Sequence, residues 1–134
     1  MTLVDSNVLL DLVTDDPKWS EWSLARLEQA ALAGPVFIND IVYAQTSIRY
    51  DRMEDLDAML AETMIAIAPT PRSALFLAGK AFRRYRTVGG ARTGVLPDFF
   101  IGAHAAVEGW PLLTRDAGRY RSYFPSLTLI APPA

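Results

Sequence analysis

The sequence predicts an α/β fold with a mainly parallel central sheet. Two patterns carry that prediction. Short apolar runs of β type alternate with helical segments along the whole chain, the pattern of strands joined by helical crossovers. Aspartates stand directly beyond two of those runs, Asp5 after TLV and Asp116 just after PLLT, where open α/β sheets collect their functional groups. A composition of 51% apolar and 21% charged residues, with nine prolines and eight glycines scattered as punctuation, adds one globular core without linkers. One domain over residues 1–134 follows.

TLVD is a strand ending at Asp5, and SNVLLDLV has helical spacing. DDP reads as a helix start, with Asp16 as cap and Pro17 in the first turn. The stretch WSEWSLARLEQAALA places apolar residues at 19, 22, 24, 27, 31 and 32 near one face, and Gly34-Pro35 stops it. VFI is a buried strand, after which Asp40 caps a helix running to about Tyr50. Asp51 and Glu54 have capping-box spacing for a further helix bearing Leu56, Met59, Leu60 and Met64. IAIA is the third strand, and Thr70-Pro71 opens a helix to about Arg86. VGGARTG is a glycine-rich loop. DFFIGAHAAVEG is a helix apolar nearly all round, hence central, and it ends at Gly109. PLLT, the turn or short helix AGRYRSYF and the strand LTLI complete the chain.

Zero cysteines exclude a disulfide scaffold, a thiolate zinc site and cysteine nucleophilic catalysis, and fit a reducing cytoplasm. The N-terminal MTLVDSNVLLDLVTDD lacks the basic start of a signal peptide, and no apolar run approaches a membrane span. A net charge of −2 leaves nucleic-acid binding to a local patch. The candidate patch is KAFRRYRTVGGAR, with Lys80, Arg83, Arg84, Arg86 and Arg92 around Tyr85.

Three aspartates converge on the chemistry. Asp98 opens the central helix behind Pro97, a position that an ordinary N-cap also explains. Asp5 and Asp116 taken singly are turn residues. Carboxylates gathered at one sheet edge repel by roughly 4 kcal/mol per pair at 4 Å and an effective dielectric near 20. A cation between them relieves that repulsion. With one histidine and no cysteine, oxygen ligands favour a hard ion, Mg²⁺ or Mn²⁺, able to activate water for phosphoryl transfer.

LVDSNVLLDL at the start, VYA-x-x-S around position 45 and LPDFFIGAHAAVEGWPLLTRDAGRYRSYFPSLTLIAP toward the end resemble a PIN domain, in particular the VapC-type toxins of toxin–antitoxin pairs. The likeness is most specific over 97–131, and over 51–90 it rests on the helical pattern alone. It implies a three-layer α/β/α sandwich, Mg²⁺- or Mn²⁺-dependent endoribonuclease activity on RNA, an antitoxin that blocks the site, and commonly a homodimer. By motif, the family's acids transfer onto Asp5, Asp98 and Asp116, with Asn7 and Thr114 as the accompanying polar residues. The fourth acid, a glutamate in the family, aligns with Gln45.

Glutamine keeps the shape and helix propensity of glutamate. It loses one charge and cannot act as a base. Three explanations stand: an inactivating change in a toxic nuclease, drift toward a weak or inert module that binds antitoxin or RNA without cleaving, or replacement by Asp40 or Asp51. Spacing disfavours the last, since these lie five residues before and six after Gln45. His104, six residues after Asp98, reads as a core or interface histidine. Trp19 and Trp22 form an aromatic helix face, either core or a groove wall for a partner helix. Arg115 is a contact for RNA, for an antitoxin carboxylate or for a structural ion pair, and Arg119 and Arg121 are expected in solvent. A receiver domain or aspartate-nucleophile phosphatase fits poorly. Residue 7 is asparagine where the phosphatase needs aspartate, and the only lysines, Lys18 and Lys80, fall on helices.

Overall fold

The computed structural model describes residues 1–90 and 95–133. Its strands are Thr2–Val4 (β1), Val36–Asn39 (β2), Ile65–Ala68 (β3), Leu112–Leu113 (β4) and Leu129–Ile130 (β5). The helices are Ser6–Val13 (α1), Ser20–Ala33 (α2), Asp40–Ser47 (α3), Met53–Glu62 (α4), Arg72–Thr87 (α5), Leu96–Glu108 (α6) and Gly118–Tyr123 (α7). The five strands pair in the order β3-β2-β1-β4-β5, and every pairing is parallel. The expected mainly parallel sheet is therefore wholly parallel among the described residues.

Chain order runs one way along the sheet from β1 to β3, crosses back to β4, and continues the other way to β5. Right-handed crossovers then place α1–α4 on one face and α5–α7 on the other, an α/β/α sandwich. The two central strands carry no exposed residue: Leu3, Val4, Leu112 and Leu113 are fully buried. Val8, Leu9, Ile38, Val42, Phe99 and Ile101 fill the layers against them. Order reverses between β1 and β4, so their outgoing chains part in opposite directions and leave a crevice at the strand ends.

Several local expectations change. Asn39, not Asp40, caps α3, because its side-chain oxygen accepts the Val42 N–H at 2.9 Å. Asp40 is the first helical residue and bonds Thr70. The helix ends at Ser47, short of Tyr50. Asp51 and Glu54 form no capping box; α4 begins after Arg52 without a side-chain cap, and Glu54 pairs with Arg52 at 3.2 Å in solvent. Asp16 accepts the N–H groups of Lys18 and Trp19, both at 2.9 Å, so it caps a turn that precedes α2. The buried face of α2 is Ser23, Leu27 and Ala30, while Leu24 and Leu32 are exposed. One buried hydroxyl, Ser23, outweighs those two leucines because it bonds Asp11 at 2.7 Å.

Helix α6 begins at Leu96 with Pro97 in its first turn, and Gly109 closes it in the left-handed conformation at φ 70°. Gly102 faces α7 so closely that an added Cβ meets Phe124 ring carbons at 2.7 Å and Tyr120 at 2.9 Å. This absence of a side chain seats Tyr120 beside the strand ends.

Candidate functional site

Asp5 leaves β1 at the switch point and caps α1, its Oδ1 accepting the Ser6 N–H at 2.7 Å. Its Oδ2 accepts three further groups: the Tyr120 hydroxyl at 2.8 Å, the Thr114 hydroxyl at 2.9 Å and the Asn7 amide at 3.4 Å. Asn7 also donates to Thr114 Oγ1 at 3.2 Å and accepts the Arg115 N–H at 3.3 Å, tying the β1 and β4 exits together. The Asp116 N–H in turn donates to Thr114 Oγ1 at 3.1 Å. Asp5, Asn7, Thr114 and Asp116 thus belong to one hydrogen-bonded network. The Asp116 side chain is exposed at its rim.

Asp98 is not an N-cap. It is the third residue of α6, whose preceding residue Val95 offers no side-chain cap, and its Oδ2 accepts Arg119 Nη1 at 2.7 Å. Burial, and then the negative charge of Asp5, push the Asp98 carboxyl up to about 6 despite that arginine. Burial likewise raises Asp5, against the opposing bonds from Tyr120, Thr114 and Ser6, and the charge of Asp116 raises it further. Burial and then Asp5 push the Tyr120 phenol well above its ordinary value, keeping it a hydrogen-bond donor. The three aspartates therefore share one electrostatic field.

Gln45 lies in α3, which packs against α1 and α6. Its Oε1 is buried and has no hydrogen-bond partner among the described residues, and no hydrogen bond there links it to the three aspartates. A buried acceptor left alone is uncommon. Also among the described residues, no three acidic or imidazole groups form a ready-made metal cluster. The donor chemistry nonetheless suits a hard divalent ion. The groups that share the field offer oxygens only, with two carboxyls resisting ionisation, and the orphaned amide oxygen of Gln45 adds a buried acceptor on α3.

Two site residues, Tyr120 and Arg119, escaped sequence reading, and Arg119 does not simply reach solvent. Its guanidinium pairs with Asp98 and lies 5.8 Å from the centre of the Tyr85 ring. The available signal was position: both lie in the short helix that follows Asp116. Arg121 is exposed as expected.

Arg115 makes a bidentate pair with buried Asp11, at 2.8 and 2.9 Å, beneath the Trp19 ring at 5.5 Å. Trp19 meets Trp22 edge to face at 6.0 Å. His104 is a core residue, lowered by burial. The Asn39 amide lies 3.2 Å from its Nδ1 and, with its own oxygen taken by Val42, is placed to donate. Arg83, Arg84 and Arg86 are exposed on α5. Arg92 and part of the VGGARTG loop lie outside the described residues.

The PIN domain family matches residues 2–124. The chain belongs to the PIN domain family. No curated protein matches the sequence significantly. Among solved structures, this PIN domain is similar to VapBC2 from Rickettsia felis bound to a DNA fragment from its promoter. The TM-score there is 0.74 at 18% identity, over 98% of each chain. It is also similar to DNA-bound VapBC from Salmonella typhimurium, with TM-score 0.71 and 12% identity over 97% of this chain and 96% of that one. FitAcB from Neisseria gonorrhoeae gives TM-score 0.67 and 18% identity, again over 97% and 96%. At these identities the likeness is one of fold. No helix among the described residues is long and apolar enough to cross a membrane.

Proposed function

We propose that this PIN domain is the toxin of a toxin–antitoxin pair, a Mg²⁺- or Mn²⁺-dependent endoribonuclease in which Gln45 replaces the fourth acid. The observation that carries the reading is the shared field of Asp5, Asp98 and Asp116 at the switch point, with two of these carboxyls raised by burial and mutual repulsion. An antitoxin partner is supported by the structural relatives, one of which is a toxin–antitoxin complex from Klebsiella pneumoniae. A homodimer working in the cytoplasm completes the proposal.

Asp5, Asp98 and Asp116 would hold the ion, with the Gln45 carbonyl as a neutral neighbour. Bound there, a divalent ion supplies Lewis acidity toward a phosphodiester and lowers the pKa of water beside it. The chain's own residues do the positioning. Tyr120 and Thr114 hold Asp5 Oδ2 in one orientation, and Asn7 locks Thr114. Arg119 steadies Asp98 and sets a positive charge at the rim. Gln45 withholds one charge and one proton acceptor, so this sequence cuts slowly.

The same residue favours a second reading, a module that pairs with an antitoxin or RNA and does not cleave. Mn²⁺-dependent cleavage of a panel of structured RNAs separates the two, comparing this chain, Gln45→Glu and an Asp5→Asn blank. Activity gained in Gln45→Glu supports the nuclease. Silence in both folded proteins favours the binding module. Equal activity in both would place the chemistry away from Gln45.

A further inference from the structure

Helix α5 contains Arg72, Lys80, Arg83, Arg84 and Arg86 and no acidic residue. That leaves eight cations against all fifteen acids for the rest of the chain, so charge is strongly segregated within a molecule of net −2. At roughly 100° per residue, Phe76, Lys80, Arg83, Arg84 and Thr87 fall within one stripe roughly 100° wide. The buried Ala74, Ala78 and Ala81 are centred on the far side of the helix. Arg86 stands off to the side of the stripe. A shallow groove runs along it, lined by Leu77, Lys80, Ala81, Arg83, Arg84 and Thr87.

Among the described residues none of Lys80, Arg83, Arg84 and Arg86 belongs to a salt bridge. Arg84 is held in place, its Nη2 donating to the Tyr123 carbonyl at 3.2 Å and its guanidinium 5.7 Å from that ring. Lys80 Nζ sits 5.0 Å from the centre of the Phe76 ring, which is 69% exposed. The last turn of α5 abuts the acidic site: Tyr85 packs on Phe99 at 5.6 Å, one residue after Asp98, and lies under Arg119.

We propose that this stripe of α5 is a track for single-stranded RNA, with Lys80, Arg83 and Arg84 on successive phosphates and Phe76 as a stacking platform for a base, leading the strand to the acids. This rests on the ribonuclease reading above, which makes RNA the strand that has to reach them. An acidic cluster repels a phosphate chain, so a substrate needs cations beside the site to approach it. An exposed aromatic among cations is the combination that binds single strands without sequence preference. An acidic protein segment would use the charges and leave Phe76 without a role.

The test is fluorescence anisotropy with a labelled single-stranded RNA in EDTA, where binding is read without cleavage. The double variant Lys80→Ala/Arg83→Ala removes two exposed cations that form no salt bridge among the described residues, and a melt checks its fold. It is expected to bind about tenfold more weakly, with the slope of log K against log salt reduced by about 1.4, that is about 0.7 for each lost phosphate contact. Phe76→Ala is expected to weaken binding without changing the salt slope, and Arg83→Ala to lose more than Arg86→Ala. Unchanged affinity and slope in the double variant would overturn the proposal. So would equal losses in Arg83→Ala and Arg86→Ala, which would reduce it to net charge. Competition by polyglutamate as effective as unlabelled RNA would assign the stripe to an acidic protein instead. Because binding is read in EDTA, its failure is distinct from failure of cleavage by Gln45→Glu.

Discussion

Replacing Asp98 with asparagine is expected to stabilise the metal-free protein by about 1–2 kcal/mol at pH 7.5 and to change it little near pH 4. A carboxyl with an ordinary value of 3.8, held at about 6 in the fold, costs about 3 kcal/mol to ionise there. The Asp98 side chain is 32% exposed, and solvent screening brings the figure down to about 1–2 kcal/mol. The folded value lies above the unfolded one, so the folded protein holds this proton more tightly. The contribution to stability is therefore fully present below 3.8 and is lost as pH rises through about 6. Asparagine imitates the protonated carboxyl at every pH, so the advantage of the variant should appear between those values and level off above pH 7. For a chain of this size it amounts to a rise in Tm of about 3–8 °C. Parallel thermal and urea melts in EDTA from pH 4 to 8 measure it. A destabilised variant at pH 7.5, or a difference that does not vary with pH, would refute the electrostatic account of the site. In the wild type, Mn²⁺ should recover the missing stability by binding the folded state, and Asp98→Asn should respond less.

Gly102→Ala drives a Cβ into rings of Phe124 and Tyr120, which are themselves packed in the core. A loss of about 1–3 kcal/mol is expected in urea melts, with a changed near-ultraviolet circular dichroism signal from the displaced tyrosine. Arg115→Met strands the Asp11 carboxylate, which is 2% exposed and bonded otherwise to Ser23. Its expected cost is about 2–4 kcal/mol, below the full value for a buried pair because Arg115 is itself 31% exposed. Adding Asp11→Asn should recover part of it, and a double-mutant cycle by urea denaturation reads the coupling.

Local signals served best where one residue type has one dominant physical role. Gly109 was legible as the end of α6 because a left-handed terminal residue favours glycine. The strands TLV, VFI and IAIA were legible as short apolar runs between turn residues, and β2 extends one residue further to Asn39. Caps were less so. Asn39 and Asp40 are adjacent and both suit the position, and only the backbone at Asn39, extended at φ −100°, decides which of them reaches the Val42 N–H. On α2 the apolar pattern pointed to Leu24 and Leu32, yet the buried side follows Ser23, because Asp11 and Arg115 draw that hydroxyl inward.

The sequence by itself determined the alternation of elements, the aspartates beyond β1 and β4, and the amide at position 45. Each of these is a property of a residue and its near neighbours along the chain. Tertiary structure alone decided the partners across the crevice. Asp5 receives Tyr120 from 115 residues away and Thr114 from 109, and Asp98 receives Arg119 across the approach of α7 to α6. The physical reason is that charge and hydrogen bonding at a site depend on distance and burial in space. Neither is encoded in spacing along the chain until the sheet brings β1 beside β4.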